Sequence, residues 1–423
     1  MGDLSLLRSR FPALAREVGG APALYADAPG GTQVPDSVID AMTRYLARSN
    51  ANQGGAFPTS EETDRVIHDA RRAAADLLGS DPGEVVFGPN MTTLAFALSR
   101  SLARGLGPRD EVIVTRLDHD GNVAPWLAAA RDAGAEVRWV DMREEDGTLD
   151  LDSLDEALTD RTRIVAYTLA SNALGTITPA AEIAERARSA GALAVGDAVH
   201  LAPHRAVDVR ALNLDVLFCS AYKFFGPHLG VMFARREHLE AWPAYKVRPA
   251  PEDPPDRWET GTANHEGLAG LHAAVEYLAE VGRDHGRPGG DARRLTVLAG
   301  MEAIRGHEAG LTRRFLKGAA DVPGLRLYGV PDPERADERT PTFAFRLGDR
   351  SPRRVAEELG RRGVFVWDGN YYALTVMERL GLEDTGGAVR VGFCHYNSED
   401  EVDRVLDELR DLAEAWPGGR GGG

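Results

Sequence analysis

Between about residues 24 and 260, short apolar runs alternate with amphipathic helical stretches, and this alternation constrains the fold more than any other feature of the chain. EVVFG, EVIVT, EVRWV, RIVAYT, ALAVG, DVLFC and GVMFA read as strands. Helical patterns fill most of the gaps, at 61–78, 91–104, 123–133 and 179–190. Buried strands joined by helical crossovers form a doubly wound, mostly parallel α/β sheet, here of seven strands. Such a sheet binds ligands at the carboxyl ends of its strands.

A Pro-rich loop, PAPEDPPD (249–256), breaks the pattern. One long helical stretch is expected after it, roughly 264–318. A smaller α+β region then follows, with strands near 342–347, 364–367 and 388–394 and a closing helix near 398–415. The expected division is an N-terminal helix over 1–22 packing on the small domain, a large domain over 23–290 and a small domain over 291–415. The Gly-rich tail, 416–423, is expected to be disordered. The N-terminal helix rests on Leu4, Leu7, Phe11 and Leu14, which recur at helical spacing.

The 423 residues carry a formal net charge of -16, which argues against a nucleic-acid surface. No stretch approaches the ~20 apolar residues that span a bilayer, and the start lacks a signal-peptide core. The expectation is a cytoplasmic protein with no membrane or nucleic-acid partner. Two scattered cysteines, Cys219 and Cys394, make no disulfide framework. No metal site is expected: His200 and His204 are four apart, but Pro203 argues against the helix that would align them.

Four motifs sit near the carboxyl ends of expected strands. GDAVH places Asp197 at a strand end, with His200 three residues on; a capping Asp is the plainer reading. SAYKFFGPHLG sets Lys223 between aromatic residues, where desolvation lowers an amine's pKa and frees it for imine chemistry. GPNMTTLAF places Thr92 and Thr93 at a helix start, which suits a phosphate and equally suits simple capping. RLDHDGNVAPW places His119 just after EVIVT.

In their order, these motifs resemble the class V aminotransferase group of fold-type I pyridoxal-5'-phosphate (PLP) enzymes, and within it the cysteine desulfurases. The resemblance runs from YADAPGGTQVP (25–35) to RVGFCHYNSEDEVDRVL (390–406). It implies that Lys223 is the Schiff-base lysine and that Asp197 pairs with the pyridinium nitrogen. It implies that His119 stacks on the ring and shuttles protons, and that His200 and Asn172 approach the ring oxygen. Thr92, Thr93, Ser220 and Tyr222 become candidates for the phosphate cup. Tyr222 is a departure, because the family usually has histidine there. Thr262 matches a residue that reaches the neighbouring subunit's phosphate, which implies a homodimer with shared active sites. Arg390 resembles the arginine that clamps the substrate carboxylate. Gly31, Asn370, Tyr371 and Trp367 fall on the substrate side.

The largest departure lies in VFVWDGNYYALTVM (364–377), where the desulfurases carry a mobile loop with a cysteine after Gly-His-His. Asn370, Tyr371 and Tyr372 occupy those three positions, and Tyr372 stands in the place of the cysteine. The resemblance therefore implies desulfurase-like machinery without a persulfide acceptor. The reading that follows is a C–S lyase acting by β-elimination on an S-substituted cysteine. Decarboxylative oxidative deamination of such a conjugate, aminotransfer or epimerisation, and a non-catalytic PLP-binding protein stay open. Tyr371 and Tyr372 then either pack the loop, wall a bulky substrate or, as a catalytic phenol, assist proton transfer.

Overall fold

The computed structural model describes residues 4–415, so the expected tail at 416–423 lies outside the described residues. Seven strands form the large sheet, in the spatial order Val85–Gly88, Gly230–Ala234, Val216–Ser220, Leu193–Asp197, Thr162–Thr168, Glu111–Thr115, Glu136–Val140. Gly230–Ala234 pairs antiparallel with both of its neighbours, and the rest of the sheet is parallel. The central strands are apolar on both faces because helices cover both faces. Val112, Ile113, Val165, Ala166, Ala194 and Val195 are each fully buried.

A second, antiparallel sheet runs Leu325–Tyr328, Thr342–Leu347, Ala388–Gly392, Trp367–Gly369. Its core centres on Phe315 and Phe343, whose rings stack at 4.1 Å. Val355, Val402 and Leu409 pack into the same core from the helices Pro352–Arg361 and Glu399–Ala415.

Three local expectations are corrected. The N-terminal stretch is two 3-10 segments, Leu4–Arg10 and Pro12–Ala15, rather than one helix. Pro12 has no N–H and pushes Phe11 into extended backbone, which stops an α-helix from passing through. Phe11, with Leu4 and Leu14, packs into the core of the large sheet rather than on the second sheet, edge-on to Tyr277 at 5.5 Å and tilted on Tyr396 at 5.0 Å. The long stretch after 264 is two helices, His265–His285 and Arg293–Ala319, parted by Pro288, Gly289 and Gly290. Leu24 and Ala26, expected in the large domain, pack into the second core. Leu24–Tyr25 pairs in parallel with Val364–Phe365, and Asp27 bridges Gly392.

Candidate active site

The carboxyl ends of five strands converge on one hollow. A cavity of about 440 Å³ is lined by Asp197, Lys223, His119, Thr92, Ser220 and Asn172, with Tyr222, His200 and His228 also on its wall. It opens beside a larger cavity of about 950 Å³ that shares Lys223, His119 and Asn172.

Lys223 sits in a 3-10 turn, Ala221–Lys223, directly after the Val216–Ser220 strand. Phe224 and Phe225 are fully buried, and they tie the turn into the core. Phe225 has a φ of +67°, in the left-handed region, and its N–H donates to Thr32 Oγ1 at 2.9 Å. The Gly-rich N-terminal segment thus braces the lysine turn. Lys223 Nζ donates to the Pro29 carbonyl. Burial lowers its pKa to about 7, with Arg390 adding to the shift while Asp197 and Asp27 oppose it.

Asp197 ends its strand almost wholly buried, and its Oδ1 accepts from Val199 N–H at 2.8 Å. Burial raises its pKa to about 6, with Lys223 pulling it back. A buried carboxylate with so little compensation is a natural partner for a ring N–H cation. His119 is a neutral imidazole: its Nδ1 accepts from Gly121 N–H at 2.9 Å, which places the ring proton on Nε2. Burial, then Lys223 and Arg390, lowers its pKa to about 4. Spacing in the RLDHDGNVAPW motif ties its loop together through side chains four residues apart. Asn122 Nδ2 donates to Asp118 Oδ1 at 2.8 Å, and Trp126 Nε1 donates to Asn122 Oδ1 at 3.2 Å.

The helix Met91–Ala103 begins at the cavity wall, with Met91 N–H donating to Ser220 Oγ at 3.1 Å. Its positive end and Thr92 suit a phosphate. Thr93 is a correction: its N–H and hydroxyl both turn to Asn90 Oδ1, at 2.9 and 3.1 Å, and it lies outside this cavity. Capping therefore accounts for Thr93, as the plainer reading had it. Thr262 is also outside and lines a separate hollow of about 550 Å³ with Thr93 and His228.

His200 lines the cavity, and its Nε2 lies 3.1 and 3.0 Å from the hydroxyls of Thr340 and Thr342. Gly31 is absent from both cavity linings; its neighbours Pro29 and Gly30 line the larger one, and a Cβ on Gly31 would face Tyr222. Asn370 lines the larger cavity, but its amide is spent on the loop. Nδ2 donates to Glu383 at 3.0 Å, and Oδ1 accepts from Tyr372 N–H at 3.0 Å. Trp367, Tyr371 and Tyr372 wall the same cavity. Tyr372 is 72% exposed and stacks on His119, with ring centroids 5.6 Å apart. Both cysteines are buried, and burial holds both thiols well above their ordinary range.

His228 was missed by the sequence reading, although it sits five residues past Lys223 in the same motif. It stacks on Tyr222 with ring centroids 4.9 Å apart. Asp27 was missed as well: its carboxyl is raised to about 6 by burial, and its Oδ1 has no partner.

This donor set fits PLP: a buried amine of lowered pKa, a buried carboxylate, a neutral imidazole and a helix start, all on one cavity. Fold and site define a fold-type I PLP enzyme. The class-V aminotransferase family model matches residues 24–287 and 290–405, and the chain belongs to that family. It is 32% identical to a probable cysteine desulfurase of Streptomyces coelicolor over 96% of each chain. It is 31% identical to a cysteine desulfurase of an Enterobacter species, over 96% of this chain and 97% of that one. The apo cysteine desulfurase of Thermococcus onnurineus superposes with a TM-score of 0.87 at 26% identity, covering 98% of this chain and 99% of that one. The protein is a PLP-dependent enzyme of the cysteine desulfurase-like branch.

Proposed function

We propose that the enzyme cleaves the C–S bond of an S-substituted cysteine by β-elimination and forms no persulfide on itself. The observation that carries this reading is the 950 Å³ cavity beside Lys223, walled by Trp367, Tyr371, Tyr372 and Phe96. It is far roomier than free cysteine needs, and no thiol lines it. An apolar substituent on sulfur would lie against the aromatic wall.

PLP, when bound, supplies the electron sink for charge that develops at the substrate's Cα. Lys223 would hold the cofactor and take the Cα proton, a task suited to an amine of pKa about 7. Asp197 would hold the ring nitrogen protonated. His119, neutral and capped by Gly121 N–H, would cover the ring face without adding charge. Arg390, fully inside the site, would hold the substrate carboxylate. The Cβ–S bonding pair leaves with sulfur as a thiolate, and the three-carbon remainder hydrolyses to pyruvate and ammonia.

Purified protein supplied with PLP and S-alkylcysteines should release thiol and pyruvate in equal amounts. Lys223→Ala should lose at least about 10³-fold in rate. Release of carbon dioxide with an aldehyde, or of a keto acid retaining sulfur, would replace elimination with decarboxylative deamination or transamination. The resemblance at Thr262 further supports a homodimer, in which the hollow around Thr262 and His228 faces the second copy. Sedimentation at twice the chain mass checks it.

A further inference from the structure

We infer that Tyr371 is a positioning residue for Arg390, fixing the plane of its guanidinium so that one edge stays presented to the substrate carboxylate. This inference rests on the reading of Arg390 as the carboxylate clamp. Arg390 Cζ lies 4.2 Å from the centroid of the Tyr371 ring, within cation–π range. The residue is itself held at two points, and its backbone is unusual. Its hydroxyl donates to the carbonyl of Ala388, two residues before Arg390 on the same strand. Its backbone carbonyl accepts from Asn172 Nδ2 at 2.9 Å. Its φ is +57°, a left-handed conformation costly for a tyrosine and kept only where surrounding contacts enforce it.

Asn172 closes the circle, because its own carbonyl accepts from Arg390 Nη1 at 2.7 Å. Three residues from three separate segments thus hold one another. The face of the guanidinium is covered by Tyr371 and one nitrogen is tied to Asn172. Nε of Arg390 is left buried and without a partner. An unpaired donor of this kind is costly unless a ligand meets it. The edge that carries Nε is the edge left for a carboxylate, which can be bound there by two parallel N–H···O bonds. Arginine has a long, flexible stem, so a preset plane spares rotamer entropy on binding. The phenol takes no part in proton transfer, since its hydroxyl is engaged with Ala388 and burial raises its pKa well above the ordinary range.

The test uses the PLP-loaded enzyme and two probes, S-methyl-L-cysteine and 2-(methylthio)ethylamine. They share the thioether and the amine, and only the first has a carboxylate. Affinity is read from the rapid change in the cofactor's visible absorption. Tyr371→Leu should weaken S-methyl-L-cysteine about ten-fold and the carboxylate-free amine less than about two-fold. Tyr371→Phe keeps the ring face and should restore most of the lost affinity. The inference is overturned if Leu weakens both probes alike, if it weakens neither, or if Phe falls as far as Leu. Arg390→Lys separates the two layers. If it too leaves S-methyl-L-cysteine unaffected, the clamp reading itself has failed. If it weakens that probe while Tyr371→Leu does not, only the positioning role has failed.

Discussion

Lys223 can carry a cation, and the fold keeps it where a cation is costly. Its pKa falls from 10.5 to about 7 on folding, chiefly through burial. Between those values the unfolded chain binds the extra proton, so the lysine's destabilising effect is complete below about pH 7 and fades as pH rises toward 10.5. Lys223→Met in the PLP-free protein should therefore gain ~1–2 kcal/mol at pH 7, discounted for the lost bond to Pro29, and much less at pH 10. Thermal melts at the two values measure this, and an equal gain at both would show that burial of charge is not the cause. The residues legible in the sequence were those whose chemistry is local. Lys223, Asp197 and His119 each sit at or just past the end of a strand and carry their signal in a few neighbours. The bond from Asn370 to Glu383 was not legible, because Glu383 lies across a loop that no short motif encodes. Thr93 and Thr92 look alike in sequence, and only the turn of the helix separates the one that caps from the one that faces the cavity.

The helices His265–His285 and Arg293–Ala319 connect the two sheets and pack where both have glycine. A methyl on Gly282 would land on the Thr296 carbonyl, and one on Gly300 would land on the Leu278 carbonyl. Backbone cannot give way as a side chain can, so Gly282→Ala should cost about 3 kcal/mol, at the high end for overpacking. Gly310→Ala, where a Cβ meets nothing within 4 Å, should instead gain up to about 1 kcal/mol from helix propensity. Urea unfolding of the pair decides the matter, and equal effects would refute close backbone contact as the cause. Elements buried on both faces were readable because their apolar runs are continuous. Leu24–Tyr25 and Leu325–Tyr328 were not, since runs of two to four residues gain their identity only from distant partners. The break between the long helices was written in Pro288, Gly289 and Gly290, and helical periodicity on either side masked it.

At the scale of the molecule, no helix among the described residues is long and apolar enough to cross a membrane. The two sheets meet around the site, with Lys223 and Asp197 from one and Arg390 and Trp367 from the other. The alternating pattern exposed the first sheet early, whereas the joining of the two depends on pairings across most of the chain. Leu24 pairs with Val364, and Asp27 bridges Gly392. A ribosome releases the first member of each pair long before it makes the second. The segment that braces the lysine turn through Thr32 must therefore wait, its flanking strand unpaired, while nearly the whole protein is synthesised. Assembly of a working pocket becomes a check on complete translation: a chain that stops short of Val364 should build much of the large sheet yet take up no PLP, which absorption of purified truncations would reveal.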